Sequence, residues 1–285
     1  MILSVDGFTI GLILVSALLH ASWNALTKAS GDPLISITII MAVGGLCGLP
    51  LMFWFPLPDS ETWKWLLLSG CLHYAYQLSL IRTYQLGDLS QVYPIARGLA
   101  PLGVAALAAL GADEFLEPGQ IAGLALASLA ILSLGGASSG GPSSRRAVWM
   151  AVLTALLVGS YTYSDGRGVR SVDDAAAFIG WSFFVGSVPM VVTTIFLRHS
   201  TLLVSLRRAG LRSLAGGFMA TIGYTIALWA LSRAPMATVA SLRESSVLFA
   251  AIFGSVFLGE SFGRRRILSA MVLVIGLIMV QVRSA

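Results

Sequence analysis

Two arginines, Arg97 and Arg243, lie deep inside long apolar stretches of the sequence. At about 1.5 Å per residue, Arg97 lies roughly 13 Å and Arg243 roughly 10 Å into its stretch if each is helical. A guanidinium near the middle of a membrane helix costs about 2.5–3.5 kcal/mol, so such groups usually face the protein interior or a wet cavity. The chemistry they indicate is the binding of an anionic group such as a carboxylate. A structural ion pair, or a side chain that reaches the membrane surface, is the alternative.

Glu244 follows Arg243 directly in the sequence. Adjacent residues on a helix point about 100° apart, so these two side chains do not face each other. If the two stretches that carry the arginines lie across a site from one another, Glu244 comes close to Arg97. We therefore predict an ion pair between Arg97 and Glu244.

Polar and aromatic side chains share faces of several apolar stretches. Ser16, His20, Asn24 and Lys28 recur every four residues and form one stripe of a helix. Aromatic walls with a few hydrogen-bonding groups are typical of a small-ligand site. Helix packing and anchoring at the membrane surface are the alternative for the aromatic residues. The residues predicted to bind a small-molecule substrate are Trp23, Asn24, His73, Tyr76, Tyr93, Arg97, Tyr161, Tyr163, Arg243 and Glu244.

Other chemistries lack their usual residues. The chain has three histidines, no H-E-x-x-H sequence and no G-x-x-x-x-G-K-S/T loop, so we expect no catalytic residues, no metal site and no cofactor. A G-x-S-x-G string at 136–140 lies in a Gly/Ser-rich run, whereas a hydrolase nucleophile follows a strand and opens a helix. An intramembrane enzyme acting on lipid or head-group substrates is the alternative to a transport protein.

The composition of the chain indicates a membrane environment for these residues. Of the 285 residues, 56% are hydrophobic and 11% are charged, with a mean hydropathy of +0.85. Soluble domains have about 45–50% apolar and about 25% charged residues, so a soluble globular protein is excluded, and so is a disordered chain. The net charge of +5 is scattered along the chain. It indicates loops that face anionic lipid and no nucleic-acid partner.

Ten apolar windows are each long enough to cross a bilayer, which takes about 20 residues. Charged residues, Pro and Gly separate the windows, and the connections are too short to hold a soluble domain. The sequence therefore predicts an all-α polytopic membrane protein with ten transmembrane helices. The windows are 8–27, 33–55, 63–82, 88–110, 118–136, 147–165, 174–197, 211–232, 236–258 and 264–282.

The ten windows divide five and five, and a few matching positions indicate that the second half repeats the first, with chance matching as the alternative. Sliding the second half over the first lays Arg97 on Arg243 and, at the same offset, Glu114 on Glu260. An odd number of helices per half makes the second half enter the membrane from the opposite side, an arrangement typical of transporters with a site near the midplane. We predict two inverted five-helix repeats around a central cavity. The predicted domains are a first repeat at 1–136, a Gly/Ser linker at 137–146 and a second repeat at 147–285.

Several motifs resemble the EamA-type members of the drug/metabolite transporter (DMT) superfamily. The stretches that carry the resemblance are LLHASWNALTK at 18–28, YPIAR at 93–97 with Pro101, then Glu114, Gln120 and Gly123, and the pair Gly259-Glu260. The second half departs from this pattern, since Ala240, Val247, Arg266 and Ser269 stand where the first half has Pro94, Pro101, Gln120 and Gly123.

The resemblance implies a secondary transporter that exports small metabolites by alternating access, located as a multi-pass protein in the bacterial inner membrane. Amino acids, including aromatic or hydrophobic ones, are the expected substrates, because aromatic amino-acid exporters are among the relatives it resembles. We expect a functional monomer whose partners are the substrate and the lipid bilayer. Proton coupling through His20, His73, Asp165 or Glu244 and passive facilitation both fit the sequence.

The orientation in the membrane has two conflicting indications. Basic residues are more numerous in the loops opposite the termini, which favours termini on the outside. The resemblance favours cytoplasmic termini.

Overall fold

The computed structural model describes residues 5–28, 32–86, 89–135, 145–258 and 264–282. In these ranges every regular element is a helix, and the helices follow the predicted windows closely except at the ninth. They are α1 (Gly7–Lys28), α2 (Pro33–Trp54), α3 (Ser60–Leu86), α4 (Leu89–Gly111), α5 (Pro118–Gly135), α6 (Arg145–Val169), α7 (Ala175–Arg198), α8 (Leu202–Leu231), α9 (Met236–Arg243), α10 (Ser246–Leu258) and α11 (Arg264–Gln281).

The window 236–258 is two helices rather than the single helix predicted. α9 ends at Arg243 and α10 begins at Ser246. Between them the N–H of Glu244 donates to the carbonyl oxygen of Ser241 at 2.9 Å, a bond over three residues that tightens the chain into a 3₁₀ turn. Because this N–H keeps a backbone acceptor, the break leaves it satisfied inside the membrane.

Seven stretches of the described residues are long and apolar enough to cross a membrane. α3 falls below that hydropathy because it carries charged residues near both ends and a polar run in its middle, and the apolar parts of α5 and α11 are shorter. Phe53, Trp54 and Leu110 are 84–86% exposed, which suits side chains that face lipid. The chain is a multi-pass, all-helical membrane protein.

Aspartates begin four of the helices. The carboxylates of Asp6, Asp32, Asp59 and Asp174 each accept a backbone N–H from the first turn that follows, at 2.8–3.3 Å. Such N-caps satisfy donors that a helix leaves free at its start. At Asp6 and Asp59, which lie outside the membrane-spanning segments, the backbone hydrogen bond from the residue three positions on holds the pKa of the carboxyl below its usual value.

Glycines let helices of the two halves approach closely. A Cβ at Gly48 of α2 would lie 2.6 Å from the carbonyl oxygen of Gly180 on α7. A Cβ at Gly123 of α5 would lie 2.8 Å from the carbonyl oxygen of Gly276 on α11. Small residues at such crossings replace the hydrophobic driving force that lipid cannot provide. These two contacts hold the halves together at opposite sides of the assembly.

Two other close contacts join α2 to α8 and α3 to α7. A Cβ at Gly217 of α8 would lie 2.8 Å from the side chain of Val43 on α2. A Cβ at Gly70 of α3 would lie 3.0 Å from the side chain of Val185 on α7. Each contact pairs a helix of one half with a helix of the other, so the interior of the protein is built by both halves.

α8 bends at Gly210, whose φ of 59° lies in the left-handed region. Glycine adopts this conformation without steric cost. The bend separates an initial segment, in which Leu202 and Leu206 pack against α2, from the membrane-spanning remainder of the helix. The predicted window started just after this bend, at residue 211.

A large apolar core lies near one end of the assembly, which we call the N-terminal face. At this face α1 begins and α2, α4, α6 and α8 end. Leu66, Phe178, Leu228, Leu231 and Met236 belong to the core and are 0% exposed. These fully buried side chains fill the space between the helices at the N-terminal face.

Candidate functional site

A cavity of about 950 Å³, which includes space open to solvent, lies between α1, α2, α3, α6, α7, α8 and α9. Its residues on α2 lie in the first half of that helix and those on α3 in the last half, so the cavity extends from mid-membrane away from the N-terminal face. It is lined by Ser16, His20, Trp23, Ile37, Ile40, Met41, Gly44, His73, Tyr76, Gln77, Leu80, Tyr161, Ser182, Phe183, Gly186, Ala220, Thr221, Gly223, Tyr224 and Arg243.

Arg243, the last residue of α9, is the cationic side chain of this lining. It is 6% exposed, and its guanidinium carbon lies 5.1 Å from the centroid of the Tyr224 ring. Its Nε is buried and has no hydrogen-bond partner among the described residues, and no carboxylate of those residues forms an ion pair with it. Arg243 therefore offers one unused donor, its Nε–H, together with its charge.

Arg97 and Glu244 form the predicted ion pair. Arg97 Nε donates to one carboxylate oxygen of Glu244 at 3.0 Å and its terminal nitrogen to the other at 2.9 Å. Arg97 is 5% and Glu244 3% exposed, and neither lines the cavity. The two charges are neutralised by each other in a two-pronged geometry that fits a carboxylate closely. Of the two predicted arginines, Arg243 is therefore the one that presents its charge to the cavity.

Aromatic rings from four helices form one side of the cavity. The rings of His73 and Tyr161 are stacked at 4.0 Å between centroids, and Tyr76 meets Tyr161 edge-on at 5.2 Å. Tyr224 lies 6.3 Å from Tyr161 and 6.4 Å from Phe183. These distances are those of attractive ring pairs. The wall is apolar over most of its area and polar only at the ring edges.

Asp165 lies beside this wall, is 0% exposed and is not part of the cavity lining. Its Oδ2 is 2.9 Å from His73 Nε2 and accepts the hydroxyl of Tyr224, while its Oδ1 accepts the hydroxyl of Ser69. The four residues come from α3, α6 and α8. One carboxylate thus ties three helices together on the side of the cavity nearer the N-terminal face.

Gln77 and His20 are two further polar side chains of the lining. The amide nitrogen of Gln77 lies 2.8 Å from Met41 Sδ, and its Oε1 is buried without a hydrogen-bond partner in the part of the chain that the structure describes. His20 is 8% exposed and packs edge-on against Trp23 at 5.1 Å. The cavity therefore contains one unsatisfied acceptor in addition to the unsatisfied donor of Arg243.

Glu114 and Arg170 connect the loops at the N-terminal face. Glu114 accepts the backbone N–H of Met236 at 2.7 Å, which caps α9, and it forms an ion pair with Arg170. Arg170 also donates to the carbonyl oxygens of Leu231 at 2.8 Å and Ala234 at 2.7 Å. A carboxylate at a helix N-terminus also interacts favourably with the helix dipole. Glu260, the partner of Glu114 in the sequence repeat, lies outside the described residues.

Five of the ten residues predicted to bind substrate line the cavity, and the other five do not or are not described. Asn24 donates to the backbone oxygen of His20 on its own helix, at 2.8 Å. Tyr163 packs edge-on against Trp65 near the N-terminal face, with 6.1 Å between centroids. The side chain of Tyr93 lies outside the described residues, and Arg97 and Glu244 bind each other. The five that line the cavity are Trp23, His73, Tyr76, Tyr161 and Arg243.

Sequence reasoning missed Tyr224 and Phe183 as cavity residues. Tyr224 is the one tyrosine of the predicted window 211–232 and lies near its middle, so a polar group inside an apolar run was an available signal. Phe183 has no such signal, because an apolar ring on a membrane helix faces lipid as readily as protein. Among the described residues no group of three or more His, Cys, Asp or Glu side chains is arranged to hold a metal ion.

A family match covers the half of the chain that contributes Tyr161, Tyr224 and Arg243 to the cavity. The matching residues are 145–282, from the start of α6 to one residue past α11. They match the model of the EamA-like transporter family. The match supports the resemblance to the DMT superfamily and suggests a membrane transporter of small molecules.

Two other comparisons concern the whole chain. No curated protein matches the sequence. Chains of solved structures do match, 29 in number. One, described as "Crystal structure of protein", covers 96% of this chain and is itself covered to 96%, with a TM-score of 0.70 and 15% identity. At this identity the likeness shows a shared fold that extends beyond residues 145–282 to the first half of the chain.

Proposed function

We propose that the protein is a secondary transporter that exports amino acids, including aromatic or hydrophobic ones, by alternating access. The observation that carries the proposal is Arg243, a buried arginine at the cavity with an Nε that has no partner among the described residues. A carboxylate accepts two parallel N–H bonds from a guanidinium and neutralises its charge. The carboxylate of an amino acid is therefore the ligand group that suits this position.

The remainder of the cavity suits the rest of an amino acid. The rings of Trp23, Tyr76, Tyr161 and Tyr224 offer flat apolar surface to an aromatic or hydrophobic side chain, and the faces of such rings attract an ammonium group.

The helix contacts support two inverted five-helix repeats, which we assign to 1–136 and 147–285. α2 packs on α7 and α5 packs on α11, and in each pair the helices hold the same position in their half. The contact of α2 with α8 has its counterpart in that of α3 with α7. Exchange of conformation between the repeats then opens the N-terminal face and closes the other, which is alternating access.

Export, action as a single copy of the chain, and location in the bacterial inner membrane are parts of the proposal that rest on the family resemblance. No observation favours the alternative of an intramembrane enzyme. His73 and Tyr224 are hydrogen-bonded to Asp165, and the unsatisfied atoms of Arg243 and Gln77 suit the binding of a ligand.

Counterflow in proteoliposomes tests the proposal. Vesicles loaded with unlabelled phenylalanine or threonine are expected to accumulate the labelled amino acid, with saturation. Arg243→Gln is expected to abolish the accumulation, and Arg243→Lys to raise the half-saturating concentration about tenfold or more, because an ammonium cannot replace the two-pronged contact.

Arg233→Gln is the matched control. Arg233 also lies over an aromatic ring, at 4.9 Å from the Trp229 centroid, but it is exposed and outside the cavity. This variant is expected to transport like the wild type. Absence of saturable counterflow for every amino acid, or equal loss in Arg233→Gln and Arg243→Gln, contradicts the proposal.

A further inference from the structure

Tyr224 belongs to two sites at once. One face of its ring lies beneath the Arg243 guanidinium, 5.1 Å away, where the proposed substrate carboxylate binds. Its hydroxyl donates to Asp165 and lies 3.3 Å from His73 Nε2. A single side chain therefore connects the cavity with a buried acid that the proposed substrate contacts do not use.

The surroundings of Asp165 suit a carboxylate that accepts hydrogen bonds. The hydroxyls of Ser69 on α3 and Tyr224 on α8 donate to it, and His73 Nε2 of α3, which donates in one of the two ring tautomers, lies 2.9 Å from its Oδ2. A protonated Asp165 carries its own hydrogen and has one acceptor position fewer. One of the donors then loses its partner in a buried place, which is unfavourable, so protonation loosens the junction of α3, α6 and α8.

The groups that face Asp165 come from every helix packed around it. His73 lies on α3, Tyr161 on α6 itself, Tyr224 on α8 and Arg243 at the end of α9, while Arg97 of α4 is neutralised by Glu244. α7 contributes the apolar rings of Phe178 and Phe183. Asp165 thus contacts His73 and Tyr224 directly, and Tyr224 in turn contacts Arg243 through its ring.

We propose that Asp165, together with His73, is the proton-binding site of the transporter and that Tyr224 couples it to substrate binding at Arg243. The inference rests on the proposed function, since it assigns the driving ion of the same carrier. A proton from water joins the Asp165 carboxylate and later leaves it on the other side of the membrane. No bond of the substrate changes.

Either ligand releases Tyr224 from the junction. Protonation leaves Asp165 with one acceptor position fewer, and the Tyr224 hydroxyl already shares Oδ2 with His73, so it is the contact that protonation weakens. A substrate carboxylate draws the Arg243 guanidinium from the Tyr224 ring. A carrier with neither ligand keeps Asp165, Tyr224 and Arg243 in contact and keeps the N-terminal face closed. A carrier that changes conformation only with one ligand or the other exchanges protons for substrate, and an inward proton gradient then drives export.

Proteoliposomes with and without an imposed pH gradient test the proposal. With labelled phenylalanine inside, acid outside is expected to accelerate efflux of the wild type about tenfold, within the range typical of coupled sites. Asp165→Asn is expected to lose this acceleration, because an amide at this position cannot bind and release a proton. Its counterflow at equal pH, measured in the same vesicles, shows whether the variant still carries substrate. Counterflow without any acceleration in the wild type overturns the proton site and leaves the proposed function standing. Absence of counterflow in the wild type refutes the proposed function itself.

A second variant keeps the test decisive if Asp165→Asn does not fold. Ser69→Ala removes one donor to the ionised carboxylate, so half-maximal acceleration is expected at higher pH. Ser79→Ala is its matched control: Ser79 is also on α3 and bonds a hydroxyl of α6, that of Thr154, at 2.8 Å, away from Asp165. An unchanged pH profile in Ser69→Ala, an equal shift in Ser79→Ala, or full acceleration in Asp165→Asn overturns the proposal.

Discussion

Removal of one partner of the Arg97–Glu244 pair is expected to destabilise the protein much more than removal of both. Each residue is about one-twentieth exposed, and the two contacts are 3.0 and 2.9 Å long. Breaking a buried pair from one side leaves a charge without compensation and costs about 3–5 kcal/mol. At about 1.4 kcal/mol per factor of ten, Glu244→Leu or Arg97→Met alone lowers the ratio of folded to unfolded protein about 10²- to 10⁴-fold.

The double variant Arg97→Met/Glu244→Leu is expected to be close to the wild type, because a buried ion pair and apolar residues of similar volume are often equally stable. The reversed pair, Arg97→Glu/Glu244→Arg, is expected to recover only part of the loss in stability and in transport, because the guanidinium then starts from a different helix and cannot reproduce both contacts.

Unfolding free energies measured by SDS titration of the detergent-solubilised protein test this expectation, with counterflow as the functional measurement. Lys64→Met is the control, since the Lys64–Glu61 pair is short but largely exposed and its loss leaves stability nearly unchanged. If the two single losses simply add in the double variant, Arg97 and Glu244 do not act as a pair and the reasoning is refuted.

Three further changes test the packing, the cavity and a helix start. Gly123→Ala is expected to lower the free energy of unfolding by about 1–3 kcal/mol, because its Cβ would lie 2.6 Å from a side-chain carbon of α11. Gly119→Ala, whose Cβ would have nothing within 4 Å, is expected to leave the free energy of unfolding unchanged, and SDS titration of both variants tests the difference. Gln77→Leu is expected to lose selectivity for tryptophan and tyrosine over phenylalanine by about tenfold in competition counterflow, because the unsatisfied Oε1 no longer rewards a side-chain donor; unchanged selectivity counts against a role of Gln77 in the site. Asp59→Ala is expected to lower the thermal midpoint at neutral pH, and this loss is expected to shrink as the pH falls below 3.8 and through the lowered pKa of the folded protein, because a carboxyl with a lowered pKa stabilises the fold only while it is ionised. A loss that stays the same down to the lowest pH at which the protein folds contradicts the cap.

The positions of the helices were readable from the sequence, because a membrane helix needs a long apolar run and the breaks between runs carry charges, Pro or Gly. The turn at Glu244 and Ser245 was not, because neither Pro nor Gly marks it. It is visible only in the backbone hydrogen bonds that span three residues. Local propensity is a weak guide where tertiary contacts such as the bond between Arg97 and Glu244 act on the chain.

The residue types of the site were also readable, but the rotation of each helix was not. Lipid is as apolar as leucine, so the periodicity that reveals the inner face of a soluble helix carries little information in a membrane. On α1 the predicted stripe reaches the cavity with Ser16 and His20, and of the two predicted neighbours Trp23 and Asn24, which point about 100° apart, only Trp23 lines it. The pairing of Arg97 with Glu244 could be predicted because charges inside a membrane have few partners to choose from.

The cap of α9 has a consequence for how the chain is made. Glu114 precedes the backbone N–H that it caps by 122 residues, and Arg170 also precedes it. Both side chains have therefore left the ribosome before α9 emerges. The helix that they later contact has eight residues, all of them buried. An isolated helix this short is not stable on its own, so α9 forms on a surface that earlier parts of the chain have prepared. The contacts of Glu114, in the first half of the chain, are thus complete only after the second half has been made. In a nascent chain that stops before Met236, Glu114 and Arg170 lack the helix that they bind in the finished protein.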